Sequence, residues 1–168
     1  MSKSIGEERS AMGFKFIIGL SAVLTFLFAQ KQEISFRSVS WGMPPAQVMS
    51  AETATLIKEA PNRLFYKAEE EGYPVMLVYT FVENQLVQAT CIFQYEGKIS
   101  TSDILKELEG KLSKKFGSPE IVKTYYKAVW THASTSVSLN LTDDNKVVLN
   151  YISNHHAKVF ADKWKSSL

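Results

Sequence analysis

Residues 75–95 read VMLVYTFVENQLVQATCIFQY, and this stretch decides the fold. Val75, Leu77, Tyr79 and Phe81 alternate with Met76, Val78, Thr80 and Val82, the two-residue period of a strand and not the 3.6-residue period of a helix. Glu83-Asn84-Gln85 interrupts the run. Leu86 to Tyr95 then resumes it, with Val87, Ala89, Cys91 and Phe93 on one face and Gln88, Thr90 and Gln94 on the other. One apolar and one polar face is the signature of an antiparallel sheet covered on one side only. The uncovered face is where function is expected.

Working outward, Leu64-Phe65-Tyr66 reads as another strand, closed by a charged turn at Glu69-Glu70-Glu71-Gly72. Before it, Pro44-Pro45 opens a short helix running to Glu52, because proline presets helical φ and lacks only a donor that the first turn leaves unpaired anyway. After residue 95 the order repeats. Ser100-Thr101-Ser102-Asp103 offers N-cap oxygens, and Ile104, Leu105, Leu108, Leu112 and Phe116 recur at helical spacing up to Gly117-Ser118-Pro119. Strands are expected at Tyr125–Thr131, Ser136–Leu141 and Lys146–Ser153, the last two joined by the turn formers Thr142-Asp143-Asp144-Asn145.

The sequence therefore predicts an α+β fold of two tandem units, each a helix plus a three-stranded antiparallel sheet. The halves run over about 36–97 and 98–153 within one domain at 30–156. Residues 157–168, with Phe160 and Trp164 among Lys158, Lys163 and Lys165, read as an amphipathic C-terminal tail.

Residues 14–29, FKFIIGLSAVLTFLFA, are apolar all round, follow Lys3, Arg9 and Lys15, and stop at the polar Gln30-Lys31-Gln32-Glu33. This is the grammar of a signal peptide, with Ala29 before the expected cleavage point, or of a membrane anchor in which the same segment remains as a tether. Either way 1–29 is an address segment, and the domain is expected in the periplasm or another extracytoplasmic space.

Hydrophobic residues make up 45% of the 168-residue chain and charged residues 21%, enough apolar material for a real core. The formal net charge is only +2, and one unit of it belongs to residues 1–29. No basic face is concentrated enough to mark a nucleic-acid binder. The lone Cys91 cannot form an internal disulfide, so stability must come from packing.

Chemistry leaves no signature. His132, His155 and His156 have no acid or thiol at ligand spacing, so no metal site is expected. Cys91 with His132 would make a hydrolase pair only if the thiol were exposed and activated, whereas alternation puts Cys91 inside. No Gly-x-Ser-x-Gly elbow and no phosphate-cradling glycine loop occurs. Glu69-Glu70-Glu71 reads as a solvated hairpin tip, Asp143-Asp144-Asn145 lacks the spaced acids of a calcium loop, and Asn140-Leu141-Thr142 fits a glycosylation sequon that is frequent by chance. No catalytic, cofactor-binding or metal-ligating residue is assigned. The candidate contact surface consists of Trp41, Tyr125, Tyr126 and Trp130, aromatics near element ends that build either a core edge or an interface.

Phe36-Arg37 through Trp41-Gly42-Met43, the helix containing Val48, and Tyr79-Thr80-Phe81 before Glu83-Asn84-Gln85-Leu86-Val87 resemble the helix-then-sheet unit of small envelope proteins of SmpA/OmlA type. Leu108, Leu112, Phe116-Gly117-Ser118-Pro119, Trp130, Val137 and Leu139 are similar to the same unit repeated, and the tandem arrangement resembles β-lactamase-inhibitor-protein-like folds. The resemblance covers most of residues 36–153. It implies a non-enzymatic envelope domain that works by binding another protein, although the lipidation cysteine of envelope lipoproteins has no counterpart at the end of the apolar run. The alternative expectation is a small-ligand or lipid binder using an apolar groove between the helices and the sheet.

Overall fold

The computed structural model describes residues 36–94, 100–122 and 126–159, all within the compact unit Gln32–Leu168. Helix α1 (Pro45–Ala51) precedes four strands, β1 (Thr55–Ala60), β2 (Arg63–Glu70), β3 (Tyr73–Val82) and β4 (Gln85–Phe93). Helix α2 (Thr101–Phe116) precedes four more, β5 (Glu120–Val122), β6 (Lys127–Thr131), β7 (Thr135–Leu141) and β8 (Val147–Ser153), and residues 154–159 are helical.

The strands form one eight-stranded sheet in the order β1-β2-β3-β4-β8-β7-β6-β5, antiparallel at every joint. Each half is thus a helix followed by a meander, and the meanders meet at their last strands, where Cys91 faces Leu149 and Ala89 faces Tyr151. The three-stranded units expected from the sequence are corrected to four. β1 was hidden because five of its six residues are exposed and no apolar alternation marks it; β5 is only three residues long. The charged turn also contracts: Glu69 and Glu70 belong to β2, and Glu71 (φ 53°) with Gly72 (φ 87°) makes the two-residue loop between Glu70 and Tyr73.

Leu64, Tyr66, Val75, Leu77, Tyr79, Phe81, Cys91, Phe93, Val137, Leu139, Leu149 and Tyr151 pack with Val48 of α1 and Ile104, Leu105, Leu108 and Leu112 of α2 in one core cluster. Both helices therefore cover the same face of the sheet. Between Thr80 and Phe81 the register slips: Thr80 faces Gln88 but Phe81 faces Leu86. Strict alternation would turn either Leu86 or Val87 to solvent, and the bulge buries both. Helix α2 begins where the Ser100 hydroxyl accepts the Asp103 N–H at 3.2 Å and ends at Gly117, whose φ of 86° suits a residue without Cβ.

The leader at 1–29 and residues 160–168 of the expected tail lie outside the described residues, and the helical turn at 154–159 crosses the expected boundary at 156. No helix among the described residues is long and apolar enough to cross a membrane.

Candidate functional site

The pleat sends alternate side chains to the face that α1 and α2 leave uncovered. On β2 these are Arg63, Phe65 and Lys67; on β3, Met76, Val78 and Thr80; on β4, Gln88, Thr90 and Ile92; on β8, Val148, Asn150 and Ile152. Nearly all of the apolar ones are half-buried, and Val78 is buried, although they point away from the helix-covered core. The face is dished. A depression of about 300 Å³ is lined by Phe65, Met76, Val78, Gln88, Thr90 and Ile92 among others. A second, of about 510 Å³, continues from Met76 and Ile92 to Val148, Thr142, Asp144 and Lys146.

A polar cluster sits in the middle. Gln88 Nε2 donates to Thr90 Oγ1 (2.9 Å) and Asn150 Oδ1 (3.1 Å), the Thr90 hydroxyl donates to Asn150 Oδ1 (2.9 Å), and Asn150 Nδ2 donates to Asn140 Oδ1 (3.3 Å). These bonds link four side chains of β4, β7 and β8, three amides and one hydroxyl. A primary amide has two donors and two acceptor sites, so the cluster retains capacity for a visiting backbone. Gln88 and Thr90 were legible as the polar side of β4, but their meeting with Asn150 required the β4–β8 joint.

The aromatics singled out as building either a core edge or an interface sit as follows. Trp130 is 2% exposed in the core, and its indole N–H donates to the Gly117 carbonyl at 2.8 Å, tying β6 to the end of α2. Trp41 is half-buried and donates to Thr135 Oγ1 at 2.8 Å. Tyr126 packs against the core and donates its hydroxyl to the Glu109 carboxylate of α2; burial, reinforced by that carboxylate, pushes its phenol pKa up. The structure does not bring these three together as an exposed patch; each closes an edge of the helix-covered core. Tyr125 lies outside the described residues.

A second polar constellation lies near the start of β1. The Glu52 side chain is fully buried and accepts from Arg37 Nε (3.0 Å) and Nη2 (3.2 Å), the Tyr79 hydroxyl (2.5 Å) and the Ala54 N–H (2.9 Å). Burial alone would raise its pKa, but Tyr79, Ala54 and Arg37 together hold it below the ordinary carboxylate value. Burial, and then Glu52, push the Tyr79 hydroxyl far up, so it remains a donor. Every strong acceptor direction of Glu52 is occupied by protein, which describes a structural staple and not a proton-transfer group.

Cys91 is fully buried beside Leu77 and Leu149, and burial raises its thiol well above the ordinary value. His156 Nδ1 lies 2.7 Å from Ser153 Oγ, and His132 packs on Phe116. Among the described residues no three His, Cys, Asp or Glu side chains converge as a metal site requires.

Comparison with protein-family models, with curated proteins and with solved structures finds no match to this chain.

Proposed function

We propose that this protein is a non-enzymatic binding domain of the cell envelope, and that it holds another polypeptide against the open face of its sheet. The observation that carries the reading is the composition of that face: half-buried Phe65, Met76, Ile92, Val148 and Ile152 around the Gln88–Thr90–Asn150–Asn140 cluster. An apolar field with a few fixed polar groups is the anatomy of a protein interface. Small-molecule pockets bury most of their ligand, whereas both depressions here open to solvent along the sheet face. The helix side favours the alternative less: Leu77, Ile104, Leu108, Leu112, Leu139 and Leu149 fill the layer between α2 and the sheet and are themselves fully buried.

The envelope address is proposed from residues 14–29, and kinship with SmpA/OmlA-type and β-lactamase-inhibitor-protein-like proteins from the tandem order of helix then meander. The binding test uses full-length protein carrying a photo-crosslinking residue at Ile92, or at Lys114 on α2, in its own cells. Crosslinks to a polypeptide at Ile92 but not at Lys114 are expected; equal yields at both sites would remove the open face from consideration. A reporter fused after residue 168 that remains cytoplasmic would end the envelope assignment.

A further inference from the structure

The two edges of the sheet differ. β5 is three residues long and leaves little backbone to pair. β1 is six residues long, and none of its outward N–H or C=O groups meets another strand among the described residues. Unpaired strand edges recruit further strands, and natural proteins commonly blunt them. Here the register between β1 and β2 slips from Leu56 to Lys58, and the strand still presents apolar side chains, with Ile57 58% exposed beside Leu56 at 38%.

Charge adds the second observation. Lys58, Arg63 and Lys67 are exposed and stand on β1 and β2 around Phe65, with the Lys58 ammonium 6.0 Å from the Phe65 ring centre. No carboxylate among the described residues forms an ion pair with any of the three. Both Lys67 and Arg63 border depressions of the surface. Lys67 lines one of about 620 Å³ with Thr55, Ala68 and Pro74, and Arg63 lines the one that contains Phe65 and Met76.

We propose that the free edge of β1, together with Lys58, Arg63 and Lys67, docks an extended acidic polypeptide segment that joins the sheet as a ninth strand. This deepens the protein-binding reading and rests on it. The backbone edge supplies main-chain hydrogen bonds, exposed Leu56 and Ile57 offer apolar contacts to the added strand, and the cations select acids. A second copy of this chain is the poorer occupant, because a two-fold axis beside β1 sets the three cations against themselves. An anionic membrane surface is poorer too, since three cations make only a weak lipid anchor and the strand edge stays unused there.

The test measures binding of the full-length chain to a short labelled peptide of alternating Asp and Val, to the Lys–Val counterpart, and to the Asp–Val peptide N-methylated at alternate residues. Binding of the unmodified acidic peptide alone is expected, weakened about tenfold or more by combined Lys58→Glu, Arg63→Glu and Lys67→Glu reversal. N-methylation needs no protein variant, so a folding defect cannot mimic its effect. Equal binding of the methylated peptide, or none of the acidic one, overturns the proposal. Displacement of the peptide by phosphatidylglycerol vesicles but not phosphatidylcholine ones, together with indifference to N-methylation, overturns it in favour of a lipid headgroup. Photo-crosslinks retained at Ile92 but absent at Ile57 reject the edge while leaving the protein-binding reading in place; loss at both positions rejects the two together.

Discussion

Arg37 grips Glu52 with two arms of its guanidinium fork, Nε on Oε2 at 3.0 Å and Nη2 on Oε1 at 3.2 Å, while Nη1 reaches the Glu69 carbonyl at 3.0 Å. A residue ahead of α1 is thereby tied to the C-cap of α1 and to β2, and the Tyr79 hydroxyl brings β3 into the same knot. Arg37 holds a left-handed φ of 54°, unusual for a side-chain-bearing residue. The network must offset that strain as well as the desolvation of Glu52.

Removing one partner strands the other. Arg37→Ala is expected to destabilise by about 3 kcal/mol, because Glu52 is left as a buried charge without its cation. Tyr79→Phe should cost about 2 kcal/mol, the worth of a hydrogen bond to a charged acceptor. Urea unfolding of both variants checks this, and changes under about 0.5 kcal/mol, the size of ordinary surface substitutions, would show the knot to be ornamental.

The same carboxylate fixes a pH dependence. The Glu52 pKa is lower folded than the ordinary 4.5, so the unfolded chain binds its proton more readily. Its stabilising contribution is present above 4.5 and disappears as pH falls through the depressed folded value. Melting temperature should therefore drop on acidification from 4.5 downward, and less steeply in Glu52→Gln, which begins from a lower plateau. Parallel acid profiles for the two proteins would contradict this.

Glu70 acts with the opposite sign. Burial pushes its pKa up, and Arg37, 3.6 Å away, offsets this only in part. A raised carboxylate favours the folded state below its unfolded pKa and loses that contribution as pH rises through the folded value. Glu70→Gln should thus leave stability at pH 7 unchanged or higher despite deleting an ion pair, with the gain vanishing toward pH 4. Thermal melts at the two pH values decide it; a clear loss at pH 7 would mean that the pair outweighs desolvation.

Cys91 offers a probe of the core. Its thiol is fully buried, and burial holds it protonated, so neither access nor nucleophilicity favours modification. A disulfide-exchange reagent should label the native protein only through unfolding, with label appearing in parallel with loss of secondary structure in denaturant. Rapid stoichiometric labelling of folded protein would place the thiol at the surface and undo the assignment of β4's inner face.

How far the sequence was readable follows from burial. Val75 through Phe93 and Ile104 through Leu112 announced themselves because one face of each is covered, so composition carries the period. β1 could not, since an exposed edge strand satisfies no apolar pattern, and three residues at β5 are too few to have a period. The open face was half legible: Gln88 and Thr90 showed as polar, but pairing Thr90 with Asn150 spans 60 positions, and one sequence does not state which strands adjoin. Trp41 and Trp130 drew attention as aromatics near element ends. The core edge was one of the two places open to them, but their indole partners, Thr135 and Gly117, are set by tertiary packing.

That contrast yields the sharpest prediction for the binding surface. Ile92→Lys places a charge on a half-buried position that no helix covers, where the long stem can lie along Met76 and Val148 and the ammonium can reach solvent. Its cost should stay below about 1 kcal/mol, smaller than the loss expected of a core change. Trp130→Phe removes the donor to Gly117 and part of a fully packed side chain, and should cost about 2 kcal/mol. Crosslinking through a reporter at Val148 should respond in the reverse order, lost in Ile92→Lys and kept in Trp130→Phe at temperatures where that variant is folded. If instead capture follows melting temperature across the two variants, the open face is only a wet surface, and binding must be sought among the residues that hold Trp130 in place.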